Sequence, residues 1–180
     1  MRLYLVRHLP PIVPPGVCYG STDLATDPVA QALALPALQA RLPANAPVYS
    51  SPLRRCFVLA QALGQPLHID ARLVELDFGT WEMQRWDDIA RADIDAWAVD
   101  VAGYRPGGGD SVAGMAARIA GFYADLVNTG ASEAVVVCHA GAIRLLTARA
   151  AGLDVDAMAH AAAARPHAIG YGEIVILDCV

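Results

Sequence analysis

Residues 1 to 8 read MRLYLVRH, and the rest of the chain is organised around them. Leu3 to Val6 form an apolar run with a basic residue on each side, and the chain then turns away through Pro10, Pro11, Pro14 and Pro15. A run that is apolar throughout, rather than alternating, reads as a strand buried on both faces and therefore central in a parallel sheet. Open α/β sheets hold ligands at their carboxyl edge, so Arg7 and His8 are expected at a pocket. Arg7 can grip an anion with two parallel hydrogen bonds, and His8 can serve as base or nucleophile according to which ring nitrogen faces the ligand. A strand that merely ends in a polar pair would look the same over these residues, so the remaining chain has to decide.

A later stretch repeats the arrangement. Ala134 to Cys138, AVVVC, is the strongest strand in the chain; it ends in His139-Ala140-Gly141, and a helix follows over residues 142 to 152. Two neighbouring parallel strands, about 4.8 Å apart, would bring both histidines to one pocket. A third strand candidate, Val48 to Ser50, runs into SSPLRRCFVLAQALG. There Ser51 suits a helix cap, Pro52 the first helical position, and Cys56, Leu59, Ala60 and Leu63 recur at helical spacing. Arg54 and Arg55 then fall in the first turn, where the helix dipole disfavours cations. Their presence there points to an anion shared between guanidinium groups and the sheet edge.

Acidic candidates lie in RLVELDFGTWEMQRWDD, residues 72 to 88, where Glu75, Asp77 and Glu82 stand among Leu73, Leu76, Phe78, Trp81 and Trp86. Desolvation by such neighbours raises a carboxyl pKa, as a general acid near neutral pH requires. The residues leave open which of the three acids faces the pocket. The proline-rich loop of residues 9 to 25 is long for a strand-to-helix connection and of the kind that lines a site. Asp27-Pro28 begins a helix that the alanine and leucine content carries to Leu42 despite Pro36 in its second half, and residues 66 to 69 form a further strand. Residues 86 to 99 read as one helix with Trp86, Ile89, Ile94 and Trp97 on its apolar side. The turn GYRPGGGDS follows, its glycine amides free to approach the site. Asp110 or Ser111 then caps a helix carrying Met115, Ile119, Phe122, Tyr123 and Leu126. Residues 157 to 164 are expected as helix or flap, His160 and His167 at the surface, and the segment around Ile174 and Ile176 as the final strand.

Composition bounds the function. With 180 residues and a hydrophobic fraction of 56%, the chain is expected to form one domain with a substantial core. A net charge of -5 and a pI near 5.4 argue against a nucleic-acid binder or a protein of anionic membrane surfaces, yet allow a local cationic pocket. No apolar run approaches the roughly 20 residues of a membrane span, and a strand starting at residue 2 leaves no room for a targeting segment. Cys18, Cys56, Cys138 and Cys179 are scattered, which suits reduced thiols and a cytoplasmic setting. Neither HExxH nor a Cys/His cluster is present, so no metal or other cofactor is called for.

Two strand-end histidines, arginines near them and an aromatic-flanked carboxyl make a constellation for phosphoryl chemistry. Arg7 and Arg55 can clamp the non-bridging oxygens of a phosphoryl group. One neutral histidine attacks phosphorus while the other donates a hydrogen bond, and a protonated carboxyl group protonates the departing oxygen. Water then attacks the phosphohistidine with the same carboxylate as base, and the positive groups supply the charge that a metal would bring.

Taken together these motifs resemble the histidine phosphatase (phosphoglycerate mutase-like) superfamily. Its Arg-His-Gly hallmark is matched by LVRH at Leu5 to His8, its SSPLxRA by SSPLRRC, its LxExxFGxWE by LVELDFGTWE, its late His-Gly-Gly by VVVCHAGAIR, its PGGES turn by PGGGDS, and its last strand by GYGEIVIL. The resemblance implies that His8 is the nucleophile, that Arg7, Arg55 and His139 bind phosphate, that Glu75 is the proton donor and that Glu82 supports the site. It implies a single α/β domain over residues 1 to 180, in three layers, with a mostly parallel central sheet and helices on both faces. Two departures stand out. Leu9 occupies a position where the family carries glycine, putting a bulky group beside the phosphate loop and bearing on its backbone geometry; Ala140 replaces the first glycine of His-Gly-Gly. The opening loop, with Cys-Tyr-Gly and a following Asp, is similar to the alpha-ribazole phosphatase branch, which implies hydrolysis of a nucleoside-like 5'-phosphomonoester in cobalamin biosynthesis, with Tyr19 and Trp81 either against the organic part or packed away from it. The expected partner is a small-molecule phosphomonoester, with no nucleic acid, no membrane and no particular oligomeric state. Two other readings stay open: a phosphoglycerate mutase-type transferase, disfavoured because such mutases usually carry longer insertions around the substrate, and a non-catalytic scaffold that recognises phosphate.

Overall fold

The computed structural model describes residues 1 to 64, 66 to 164 and 168 to 179. Strands β1 (Arg2–Arg7), β2 (Val48–Ser50), β3 (Leu67–Ile69), β4 (Glu133–Cys138) and β5 (Ile174–Asp178) form one sheet in the order β3-β2-β4-β1-β5. The first four run parallel, and β5 closes the edge antiparallel to β1. The strand at the start of the chain is thus interior, as its continuous apolarity required.

The reason for that apolarity is visible in the packing. Side chains alternate between faces, but both faces are covered. Leu3, Leu5, Val136 and Cys138 join a core with helices α4 (Val112–Asn128), α5 (Ala140–Ala150) and α6 (Val155–Ala163). Val6, Val135 and Val137 point the other way, into a second core with α1 (Pro28–Gln39) and α2 (Arg54–Leu63) through Leu38, Cys56, Leu59 and Ala60. Each large apolar side chain fully buried there contributes about 1.5–3 kcal/mol. The expected three-layer α/β sandwich with a mostly parallel sheet is the observed architecture.

Helix boundaries follow local chemistry, with three differences from expectation. The Asp27 side chain accepts from the Val29 N–H and Pro28 opens α1, which runs on through Pro36 as expected but ends at Gln39, short of Leu42. The lost bond falls on the exposed side, at Ala32, whose carbonyl is open to solvent. Leu53, not Ser51, is the cap of α2; its first turn is instead satisfied from the preceding loop, where Asp23 Oδ1 accepts from Arg54 N at 2.6 Å. The expected helix over residues 86 to 99 is split into a 3-10 turn (Trp86–Asp88) and α3 (Arg91–Val99), because Ile89 is drawn into the interior with extended backbone. Ser111 caps α4, accepting from Gly114 N. His160 lies exposed on α6, whereas His167 lies outside the described residues. Among the described residues, no helix is long and apolar enough to cross a membrane.

Candidate active site

Because β1 and β4 pair with Arg7 opposite Cys138, the next residue of each strand leaves the sheet edge beside its counterpart. The rings of His8 and His139 accordingly meet edge to face, with centroids 5.1 Å apart. His8 Nδ1 lies 2.7 Å from the carbonyl oxygen of Leu9. A carbonyl can only accept, so Nδ1 carries the proton and Nε2 keeps its lone pair. Burial pushes the His8 pKa down to about 3, with the charges of Arg55 and Arg7 adding to that and the bond to Leu9 opposing it. The result is a neutral imidazole on the wall of a cavity of about 600 Å³.

His139 sits deeper. Its Nε2 is 2.9 Å from Ser51 Oγ and 3.5 Å from Cys56 Sγ, and burial, followed by the nearby charge of Arg55, holds its pKa well below the ordinary range. It touches His8 from behind, while Ala140 and Gly141 form the cavity wall at this strand end.

Arg55 projects from the first turn of α2 and is entirely buried. Its Nη2 donates to Gly20 O at 2.5 Å and its Nη1 to Thr22 O at 2.7 Å. Its Nε has no partner, and no carboxylate is paired with it among the described residues. Arg7 donates from Nη1 to Ile169 O at 2.5 Å, its Nε is likewise unpaired, and its guanidinium lies 3.8 Å from the centroid of the Tyr171 ring. Buried guanidinium groups without a counter-ion are costly. Arg55, fully buried, and Arg7, half-buried with its Nε inside, beside a histidine lone pair describe a pocket built for an anion. Arg54 is exposed and does not line it.

The structure also separates the three candidate acids. Glu75 lines the cavity, with Oε2 accepting from Gly141 N at 2.9 Å and Oε1 from Leu76 N at 3.0 Å. Arg118 holds its backbone segment by donating to the carbonyls of Arg72, Val74 and Glu75. Asp77 is taken up by Ser21 Oγ and Gly79 N. Glu82 gathers the N–H groups of Gly20, Ser21, Thr22 and Phe78 and the Thr22 hydroxyl. Burial would raise the Glu82 pKa, but these hydrogen bonds outweigh it and hold the carboxyl below its usual range. Glu82 therefore shapes the loop whose Gly20 and Thr22 carbonyls hold Arg55.

Of the aromatic candidates, Tyr19 lines the cavity and its hydroxyl meets that of Tyr171 at 2.7 Å. Trp81 does not: it is 4% exposed and packs with Cys18 and Ile89 behind the wall. The wall itself carries Trp86 and Trp97, which the sequence pattern assigned to helix packing. Tyr171 also went unassigned, although an aromatic between two glycines ahead of the last strand marks a turn that presents its side chain. The glycine-rich turn packs against the acidic segment, since a Cβ on Gly107 would fall 2.3 Å from Phe78 O, and it is absent from the cavity lining.

Comparison with known proteins agrees with this geometry. The model of the histidine phosphatase superfamily (branch 1) matches residues 3 to 172. A glucosyl-3-phosphoglycerate phosphatase of Mycolicibacterium vanbaalenii is 35% identical over 61% of the chain and 55% of that protein. An adenosylcobalamin/alpha-ribazole phosphatase of Escherichia coli is 32% identical over 53% of the chain and 49% of that protein. The chain thus spans about half the length of these two curated relatives. The solved alpha-ribazole phosphatase of Shigella flexneri superposes with a TM-score of 0.82 at 26% identity, covering 99% of this chain and 90% of that one. The family match covers strands β1 to β4, short of the first residue of β1, and the residues placed around the pocket, and on it the chain belongs to the histidine phosphatase superfamily.

Proposed function

We propose that the chain hydrolyses phosphomonoesters through a phosphohistidine on His8. The observation that carries this reading is the pairing of a neutral His8, its Nε2 lone pair free, with a fully buried Arg55 and a half-buried Arg7, neither of which has a counter-ion among the described residues. A phosphoryl group seated between Arg7 and Arg55 has its non-bridging oxygens neutralised while Nε2 attacks phosphorus in line. Glu75, on the cavity wall, gives its proton to the departing alcohol oxygen as the P–O bond breaks. The resulting carboxylate then takes a proton from water, whose oxygen attacks phosphorus and releases inorganic phosphate and free His8. His139, behind His8, supports the phosphoryl position, and Glu82 acts through the Arg55 loop. Charge stabilisation resides in the arginines, so the reaction needs no metal ion. The likeness of the opening loop to that branch supports a place in cobalamin biosynthesis with alpha-ribazole 5'-phosphate as substrate, and the four scattered free cysteines support a cytoplasmic setting.

Turnover of 4-nitrophenyl phosphate by the full chain in excess chelator tests the reading. Release of phosphate that is lost in His8→Ala is expected. Turnover that stops with chelator and returns with a divalent cation would overturn metal independence, and conversion of 3-phosphoglycerate to 2-phosphoglycerate without net phosphate release would favour the transferase reading.

A further inference from the structure

The cavity lining combines two chemistries. Arg7, His8, Arg55 and Glu75 are its charged members. Phe78, Trp86, Trp97, Val101, Val112 and Met115 make a largely apolar wall. Beside the indole N–H groups, of which that of Trp97 is buried, Arg144 is the polar side chain described near this wall, and its guanidinium donates to Ala162 O. No Ser, Thr, Asn or Gln is present in the described lining.

The wall is also rigidly built. The Trp86 and Trp97 rings are parallel to within 7° at a centroid distance of 6.2 Å. Phe78 stands edge-on to both, at 5.6 Å and 6.1 Å. Trp81 supports the group from behind, 5.8 Å from Trp97. Position relates this wall to the chemistry: the departing alcohol must lie toward the proton donor Glu75, and Phe78 follows Glu75 on the same segment.

We infer that the site selects phosphomonoesters whose alcohol carries a flat, apolar ring, over esters of sugars and polyols that bear no such ring, and that Trp97 and Trp86 are the residues that make the selection. The inference rests on the phosphatase reading of the charged members and names the substrate class for it. A sugar placed here would surrender its water hydrogen bonds to a wall that returns almost none, whereas an aromatic ring gains burial and edge or face contacts.

The test compares 2-naphthylmethyl phosphate with glycerol 3-phosphate and glucose 6-phosphate, by kcat/KM for the full chain, and the matching non-hydrolysable phosphonates by calorimetric binding. A preference of about tenfold or more for the naphthyl ester and its phosphonate is expected. Trp97→Ala should shrink the naphthyl-to-glycerol ratio about tenfold, chiefly through KM, and Trp97→Phe should restore most of it. Equal or better use of the sugar and glycerol esters, or an unchanged ratio in Trp97→Ala, would overturn the inference. If no ester is turned over, the phosphatase reading fails; the phosphonate ratio then still decides ring selection, sustaining it if the naphthyl compound binds tighter and refuting it if not.

Discussion

Gly141 donates its N–H to Glu75 Oε2 at 2.9 Å, and a Cβ at this glycine would stand only 2.3 Å from Glu75 Oε1. The second position after His139 is therefore closed to any side chain while Glu75 keeps its place. The first is Ala140, whose methyl group is accommodated on the cavity wall, so the loss of glycine there leaves the carboxyl undisturbed. Gly141→Ala should displace Glu75 and lower kcat by about a hundredfold, at the lower end of what a general acid contributes, whereas Ala140→Gly should leave kcat within about twofold of its starting value. Steady-state kinetics at saturating substrate measure both; a normal kcat in Gly141→Ala would remove Glu75 from the proton-transfer role.

Arg55 and Glu82 are joined through the loop at Gly20 to Thr22. If Arg55 awaits an anion, inorganic phosphate should stabilise the fold, by about 2.7 kcal/mol at a hundredfold excess over its Kd, or several degrees in Tm. Arg55→Met should abolish the phosphate-dependent shift. Glu82→Ala should reduce it without touching the anion, because the carbonyls that orient the guanidinium lose their anchor. Thermal melts with and without phosphate report the outcome, and an undiminished shift in Arg55→Met would exclude this arginine from the anion site.

Protonation should work against the fold. His8 is held at about 3 against an ordinary 6.5, and His139 is also depressed. An unfolded chain therefore binds protons that the folded one refuses between those values. The associated stability is complete above about pH 6.5 and is lost as pH falls toward 3, with a slope of up to about 1.4 kcal/mol per pH unit for each histidine. Denaturant unfolding between near-neutral and mildly acidic pH should show this slope, and His8→Gln should flatten it. An identical slope in the variant would mean that His8 is not buried in its neutral form.

Leu9 has a different role from the one its position suggested. The sequence places it where a glycine would lie against the phosphate loop, yet its side chain is 7% exposed and belongs to the core with Val6, Leu38 and Ile174. Among the described residues, Met83 is the only non-glycine at positive φ, so Leu9 needs no left-handed backbone. Leu9→Gly should cost about 3–5 kcal/mol through the cavity it leaves and the added chain freedom, with no gain in kcat. A stability within 1 kcal/mol of the original, measured by denaturant titration, would contradict this packing role.

Legibility in the sequence divides along the range of the interactions. β1, β4 and the histidines that follow them were legible because a doubly buried strand is written as an uninterrupted apolar run and its end as a polar residue. Arg54 and Arg55 were legible as a pair, because a cation in the first turn of a helix opposes the dipole; their place beside the first strand and the likeness of SSPLRRC to the family motif singled out Arg55. The choice among Glu75, Asp77 and Glu82 was not written in the local residues: it depends on backbone donors from Gly141, Gly79 and the loop at residues 20 to 22, far apart in sequence. Trp97 was read as core because helical spacing records that a face is covered, not whether protein or ligand covers it. Trp81, equally aromatic, proved to be the support behind that face.

In the proposed mechanism His8 carries the phosphoryl group. Glu75→Gln removes the base for the second step, while 4-nitrophenyl phosphate has a leaving group that departs without a proton. Rapid mixing of this variant with that ester should give a burst of one 4-nitrophenolate per chain, and peptide mass spectrometry at alkaline pH should find a phosphoryl group on His8, absent in His8→Ala. Turnover with no phosphorylated His8, or a phosphoryl group trapped on any other residue, would contradict the account.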